Sequence, residues 1–163
     1  MNPAPNLFFI GPMGAGKTTI GRGVAELVGL PFFDLDHEIE AHCGAGIPLI
    51  FDIEGETGFR QRESAALAEL TARSNIVLAT GGGAVLAEEN RQLLRVRGFI
   101  VYLETTVDEQ LQRLARDPLY RQIADLTVPA GPRKSTGQVA QRLAAELKSR
   151  WQRASPDHAE HAA

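Results

Sequence analysis

The sequence predicts an α/β fold, a five-stranded parallel sheet with helices on both faces. Five short apolar runs alternate with stretches of helical periodicity, as in a doubly wound sheet. A glycine-rich turn, Gly11 to Thr18, joins the first run to the first helix. No linker or internal repeat interrupts the 163 residues. One domain is therefore expected over 1–154, with a small polar tail over 155–163 expected to be disordered.

The first run, Leu7-Phe-Phe-Ile10, has the continuous apolar character of a buried parallel strand. Gly11-Pro-Met-Gly-Ala-Gly-Lys-Thr18 follows and fits G-x-x-x-x-G-K-[ST]. Gly11, Gly14 and Gly16 let the backbone curl around a phosphate with its N–H groups pointing inward. Lys17 can reach β- and γ-phosphate oxygens, and the Thr18 hydroxyl is placed to ligate Mg²⁺. Ile20, Val24, Leu27 and Val28 then recur at helical spacing until Gly29 and Pro31. The helix adds its positive N-terminal end to the anion site. Strand, loop and helix in this order make Gly14, Ala15, Gly16, Lys17, Thr18 and Thr19 the expected nucleotide-binding stretch.

Pro31 to Asp36 reads as a short strand, with Asp34 and Asp36 on one side of extended backbone. Carboxylates there lie where open α/β sheets bind ligands, although one of them could instead cap a helix beginning at His37. His37 and His42 read as helix-surface residues. Glu54 to Gly58 looks like a turn between Phe51 and Phe59, and a helix follows from Arg60. Arg60 and Glu63 share a helix face; a surface pair is the expected reading, an anion-binding arginine held by a carboxylate the alternative. Ile76 to Thr80 is a third strand running into Gly81, Gly82 and Gly83, either a flexible turn or a place where a ligand meets backbone.

Glu88 to Val96 suits a helix and Gly98 to Leu103 a fourth strand. Thr106 and Glu109 form a capping-box pattern, and the helix they open is expected to break at Pro118. Its arginines, Arg113 and Arg116, suit a helix C-terminus without any further role. Ala124 to Val128 is the expected fifth strand, and Ser135 caps a last helix carrying Val139, Leu143 and Leu147.

A net charge of −3 gives no general attraction to nucleic acid, so no nucleic-acid partner is expected. The single cysteine, Cys43, cannot form an internal disulfide and suits a reducing cytoplasm. The N-terminal apolar run is too short for a signal peptide, and no stretch reaches the ~20 apolar residues needed to cross a bilayer. A cytoplasmic monomer without membrane partners is the expectation.

Taken together, the phosphate loop, Asp34-Leu-Asp36, Ile50-Phe51, Gly55-Glu56, Phe59-Arg60 with Glu63, Gly81 to Gly83, Asp-Pro-Leu-Tyr120 and Ile123-Ala-Asp125 resemble the bacterial shikimate kinases in order and spacing. The resemblance runs from Leu7 to about Leu147. It implies a P-loop, nucleoside-monophosphate-kinase-like fold in which ATP phosphorylates the 3-hydroxyl of shikimate. By position in that family, Asp36 would hydrogen-bond the attacking hydroxyl and be placed to accept its proton. Asp34 would sit by Mg²⁺ beside Thr18, and Lys17 with Arg113 would face the ATP phosphates. Arg60 and Arg116 would hold the shikimate carboxylate, Glu63 would orient Arg60, and the Gly81, Gly82 and Gly83 backbone would close around the ring hydroxyls. Arg133 and Lys134 fall where the family flanks adenine.

One departure stands out. In that family a mobile lid containing Arg-Pro-Leu-Leu separates the arginine matching Arg113 from the segment matching Arg116 to Tyr120. Here Arg113-Leu-Ala-Arg116 joins the two sides directly and Arg-Pro-Leu-Leu does not occur, a shortfall of about 20 residues by ordinary lid lengths. Either the protein lacks the lid, or the sequence as written skips a segment; the matching flanks favour the second. A real deletion predicts binding of both substrates with turnover weakened a hundredfold or more, roughly the effect of losing one phosphate-stabilising cation.

Overall fold

The structure is a computed structural model describing residues 6–105, 111–131 and 134–154, the side chains of 111–115 excepted. In order the elements are β1 (Asn6–Ile10), α1 (Lys17–Val28), β2 (Phe32–Asp34), α2 (Leu35–Cys43), α3 (Ile47–Thr71) and β3 (Ile76–Ala79). A 3₁₀ turn (Ala84–Leu86), α4 (Glu88–Arg97), β4 (Phe99–Thr105), α5 (Leu111–Ile123), β5 (Leu126–Ala130) and α6 (Thr136–Arg153) follow. The strands lie in the order β2-β3-β1-β4-β5, and every pairing is parallel.

Alternation along the strands divides the core between the two faces of the sheet. Leu7, Phe9, Val77, Val101 and Leu103 pack with Ile20 and Val24 of α1 and Leu143 and Leu147 of α6. Phe8, Ile10, Leu78, Ile100 and Tyr102 face the opposite way, onto Leu35, Phe59, Leu67, Leu94 and Tyr120 of α2 to α5. Helices thus cover both faces, as expected. At the amino end of β1, buried Asn6 donates from Nδ2 to the carbonyls of Arg73 (2.8 Å) and Arg97 (3.1 Å) and accepts from the Ile76 amide (3.2 Å). One side-chain amide thus ties the ends of α3 and α4 to the starts of β1 and β3.

Several expected boundaries are corrected. β2 ends at Asp34 and α2 begins at Leu35, so Asp36 stands on the first turn of a helix rather than beside Asp34 on a strand. Glu54 to Gly58 is no loop: α3 runs through it with a single break at Gly55 (φ 70°, ψ −176°), a conformation suited to glycine. Pro118 does not end α5, which continues to Ile123 because Tyr120 and Ile123 are buried against the sheet. β5 starts later than expected because Asp125 closes the preceding turn: its carboxylate accepts from the Ile100 amide (2.7 Å) and its own amide donates to the Ile100 carbonyl (2.8 Å). Ser135 does cap α6, accepting from the Gln138 amide. The Thr106–Glu109 capping box and the tail from 155 lie outside the described residues.

Candidate active site

The phosphate loop leaves the carboxyl end of β1 and closes with Gly16 as the N-cap of α1. Lys17 lies buried within it and donates from Nζ to the carbonyls of Gly11 (2.6 Å) and Pro12 (2.9 Å). Burial pulls its ammonium down to about 8, against the upward pull of Asp36 and Asp34. The Ala15 side chain is buried in the core and Thr19 is exposed on α1, so of this stretch Lys17 and Thr18 carry the inward-facing chemistry.

Thr18 Oγ1 donates to Asp34 Oδ2 at 2.5 Å, while Asp34 Oδ1 accepts from the His37 amide at 3.1 Å. Asp34 therefore caps α2 and meets Thr18 at once. A hydroxyl beside a carboxylate is a hard-oxygen pair suited to Mg²⁺, which favours few protein ligands together with waters and phosphate oxygens. Among the described residues no cluster of three His, Cys, Asp or Glu could hold a metal alone, so phosphate and water would have to complete the shell.

Asp36, half-buried on α2, has its carboxyl pushed up by burial and then by Asp34, with Lys17 opposing. Its Oδ1 lies 3.0 Å from where a Cβ on Gly81 would stand, and Glu63 Oε2 lies equally close. Glu63 is 1% exposed and accepts from Arg60 Nη1 at 2.8 Å, which rules out the expected surface pair. Burial raises the Glu63 carboxyl despite the downward pull of Arg60. The Arg60 guanidinium fills the space a Gly83 side chain would need, so glycine there is a matter of room rather than of φ. Gly81 to Gly83 are accordingly no free turn: protein side chains crowd them.

Arg116, on α5, brings Nη1 to 3.6 Å from where a Gly82 Cβ would be. Lys17, Asp34, Asp36, Arg60, Gly81 to Gly83 and Arg116 thus gather at the carboxyl ends of β1, β2 and β3, the edge where parallel sheets bind ligands. Lys134 is exposed in the β5–α6 loop, whose neighbour Thr136 lies 3.7 Å from the Cβ position of Gly16. Arg133 and the side chain of Arg113 lie outside the described residues.

Sequence reading gave no role to three residues that support this site. Tyr120 donates from its hydroxyl to the Gly82 carbonyl at 2.5 Å. Asn90 donates to the Ala84 carbonyl (2.9 Å) and Arg91 to the Val85 carbonyl (2.7 Å), holding the 3₁₀ turn that follows the glycines. Asn90 and Arg91 stand in the first turn of α4, a short 3₁₀ turn beyond the glycines.

A family model described as "Shikimate kinase" matches residues 13–125. The shikimate kinase of Bordetella avium is 53% identical over 148 positions, covering 77% of this chain and 71% of its own. That of Cupriavidus pinatubonensis is 50% identical over 167 positions, covering 88% of this chain and 86% of its own. As 88% of 163 residues is about 143, about 24 of those 167 positions face no residue here. Among solved structures, a shikimate kinase from Acinetobacter baumannii in complex with shikimate matches with a TM-score of 0.84 and 44% identity, covering 91% of this chain and 96% of that one. A gluconokinase from Sinorhizobium meliloti, 16% identical with a TM-score of 0.56, shares the fold alone. With a family model spanning more than half of its residues and relatives half identical across most of its length, the chain belongs to the shikimate kinase family.

Proposed function

We propose that this protein transfers the γ-phosphoryl group of ATP to the 3-hydroxyl of shikimate, releasing ADP and shikimate 3-phosphate. The observation that carries this reading is the convergence of Asp36, Arg60 and Arg116 on Gly81 to Gly83, beside the phosphate loop. Phosphoryl transfer depends on positioning and charge neutralisation more than on covalent catalysis. Lys17 would leave the loop carbonyls for the phosphate oxygens, and Arg113 would approach them from α5. Thr18 and Asp34 would hold Mg²⁺, which would supply charge neutralisation for the ATP phosphates. Asp36 would accept the hydrogen bond of the attacking hydroxyl and take its proton as the new O–P bond forms and the bond to ADP breaks. Arg60, held by Glu63, would bind the shikimate carboxylate together with Arg116, and Gly81 to Gly83 would meet the ring hydroxyls. Arg133 and Lys134 would flank adenine. A cytoplasmic monomer acting on small molecules completes the reading.

The shortfall of about 24 aligned positions favours a second reading, a binder of ATP and shikimate with slow turnover. Shikimate-dependent ADP release with Mg·ATP separates the two, on protein whose intact mass is compared with 17.7 kDa. Robust turnover at that mass shows a lid to be dispensable; robust turnover from a chain about 2 kDa heavier exposes a segment of ~20 residues. Binding of both substrates with turnover at least a hundredfold below an intact relative supports the second reading. Failure of the pure protein to bind either substrate overturns both.

A further inference from the structure

Helix α5 meets the glycine turn through two side chains one helical turn apart. Arg116 lies against Gly82, and Tyr120 donates to the Gly82 carbonyl at 2.5 Å. Residues at i and i+4 share a helix face, so both reach the same backbone unit from one side. The Tyr120 ring is buried and stacks on Tyr102, with centroids 5.0 Å apart and 25° between planes. Tyr102 in turn donates to Asp117 Oδ1 at 2.6 Å, a second link to the same helix. Burial pushes the Tyr120 phenol up to about 12, against the pull of Arg116, so it stays a donor across the working pH range. We infer that Tyr120 is a positioning residue for the acceptor: its hydroxyl fixes α5 in register against Gly82 and thereby sets where the Arg116 guanidinium meets an anionic acceptor.

This inference rests on the proposed function, since it needs an acceptor bearing a carboxylate. Tyr120 touches neither nucleotide nor reacting atoms in that reading; it acts through Arg116 and Gly82. Tyr120→Phe keeps the ring stacked on Tyr102 and removes only the hydroxyl, which donates to Gly82 and accepts from Arg116. The structure then predicts about a tenfold rise in KM and Kd for shikimate, the scale of one lost buried hydrogen bond, with KM for ATP within about twofold. Combined with Arg116→Ala, Tyr120→Phe should add less than about twofold, because its effect runs through the side chain already removed. A residue that only stabilised the core would instead lower the melting temperature and leave shikimate affinity alone.

The experiment is calorimetric titration of shikimate into the full chain, with and without ADP, for the wild type, each single variant and the double variant. Weakened shikimate binding in Tyr120→Phe, non-additive with Arg116→Ala, supports the inference. Wild-type binding that Tyr120→Phe leaves within twofold, or effects that add in full, overturns it while leaving the proposed function standing. If the wild type itself does not bind shikimate, the proposed function fails and this inference with it.

Discussion

In the proposed reading the phosphate side of the site draws mainly on one stretch of chain, Gly11 to Thr18, with Asp34 and Arg113 added, whereas the acceptor side would gather Asp36 from α2, Arg60 and Glu63 from α3, Gly81 to Gly83 from beyond β3, and Arg116 from α5. Backbone conformation does the work in the first: Gly14 and Gly16 hold φ values of 81° and 92°. Crowding does it in the second, where Gly81 to Gly83 have no positive φ and are surrounded by Asp36, Glu63, Arg60 and Arg116. Anion binding by backbone can therefore be encoded locally, while recognition of a particular acceptor requires the tertiary fold to be in place first.

The comparison can be tested from its strongest consequence downward. Lys17→Ala should lower kcat about 10²- to 10³-fold in shikimate-dependent ADP release, with shikimate affinity retained in titration. Loss of shikimate affinity to a similar degree would mean that the two halves are not separate. Arg60→Ala should abolish measurable shikimate binding and also destabilise the fold by on the order of 3 kcal/mol in urea unfolding, because Glu63 is left buried without its cation. A Glu63→Gln change in the Arg60→Ala background should recover part of that stability and none of the binding.

Two glycine substitutions separate conformation from space. Gly14 has open space around it but a left-handed φ, so Gly14→Ala should raise KM for ATP about tenfold with shikimate unaffected. Gly83→Ala displaces the Arg60 guanidinium and should raise KM for shikimate by a similar factor with ATP unaffected. Identical kinetic signatures from the two variants would break the comparison. The smallest effect expected is one of stability. Glu63 titrates higher in the folded chain than its ordinary 4.5, so the folded state binds the proton more tightly over the window from 4.5 upward. Its contribution favours folding as pH falls into that window and weakens as pH rises through it, and urea midpoints of Glu63→Gln should lack that slope.

Legibility in the sequence follows the same division. Strand, loop, Lys17, Thr18 and α1 are adjacent, so the phosphate site and the doubly wound architecture could be read from periodicity and one motif. Spacing alone pointed the wrong way for Arg60 and Glu63, since an i, i+3 pair looks alike whether its carboxylate is exposed or buried at 1%. The capping alternative offered for Asp34 and Asp36 holds for Asp34, but the helix it caps begins at Leu35 rather than His37, which takes Asp36 off the extended backbone. Pro118 reads as a stop because its local penalty is real, yet burial of Tyr120 and Ile123 carries the helix past it. Tyr120 is legible only as the end of the Asp-Pro-Leu-Tyr120 match, and its contact is not, its partner Gly82 being 38 residues away.

Strand β1 carries two different obligations in five residues. Its carboxyl end delivers the phosphate loop, and its amino end places Asn6 among the ends of α3 and α4 and the start of β3. Selection for catalysis therefore sees one end of the strand and selection for folding the other. A lineage that lost nucleotide binding but kept the fold would be free to drift at Lys17 while Asn6 stayed fixed.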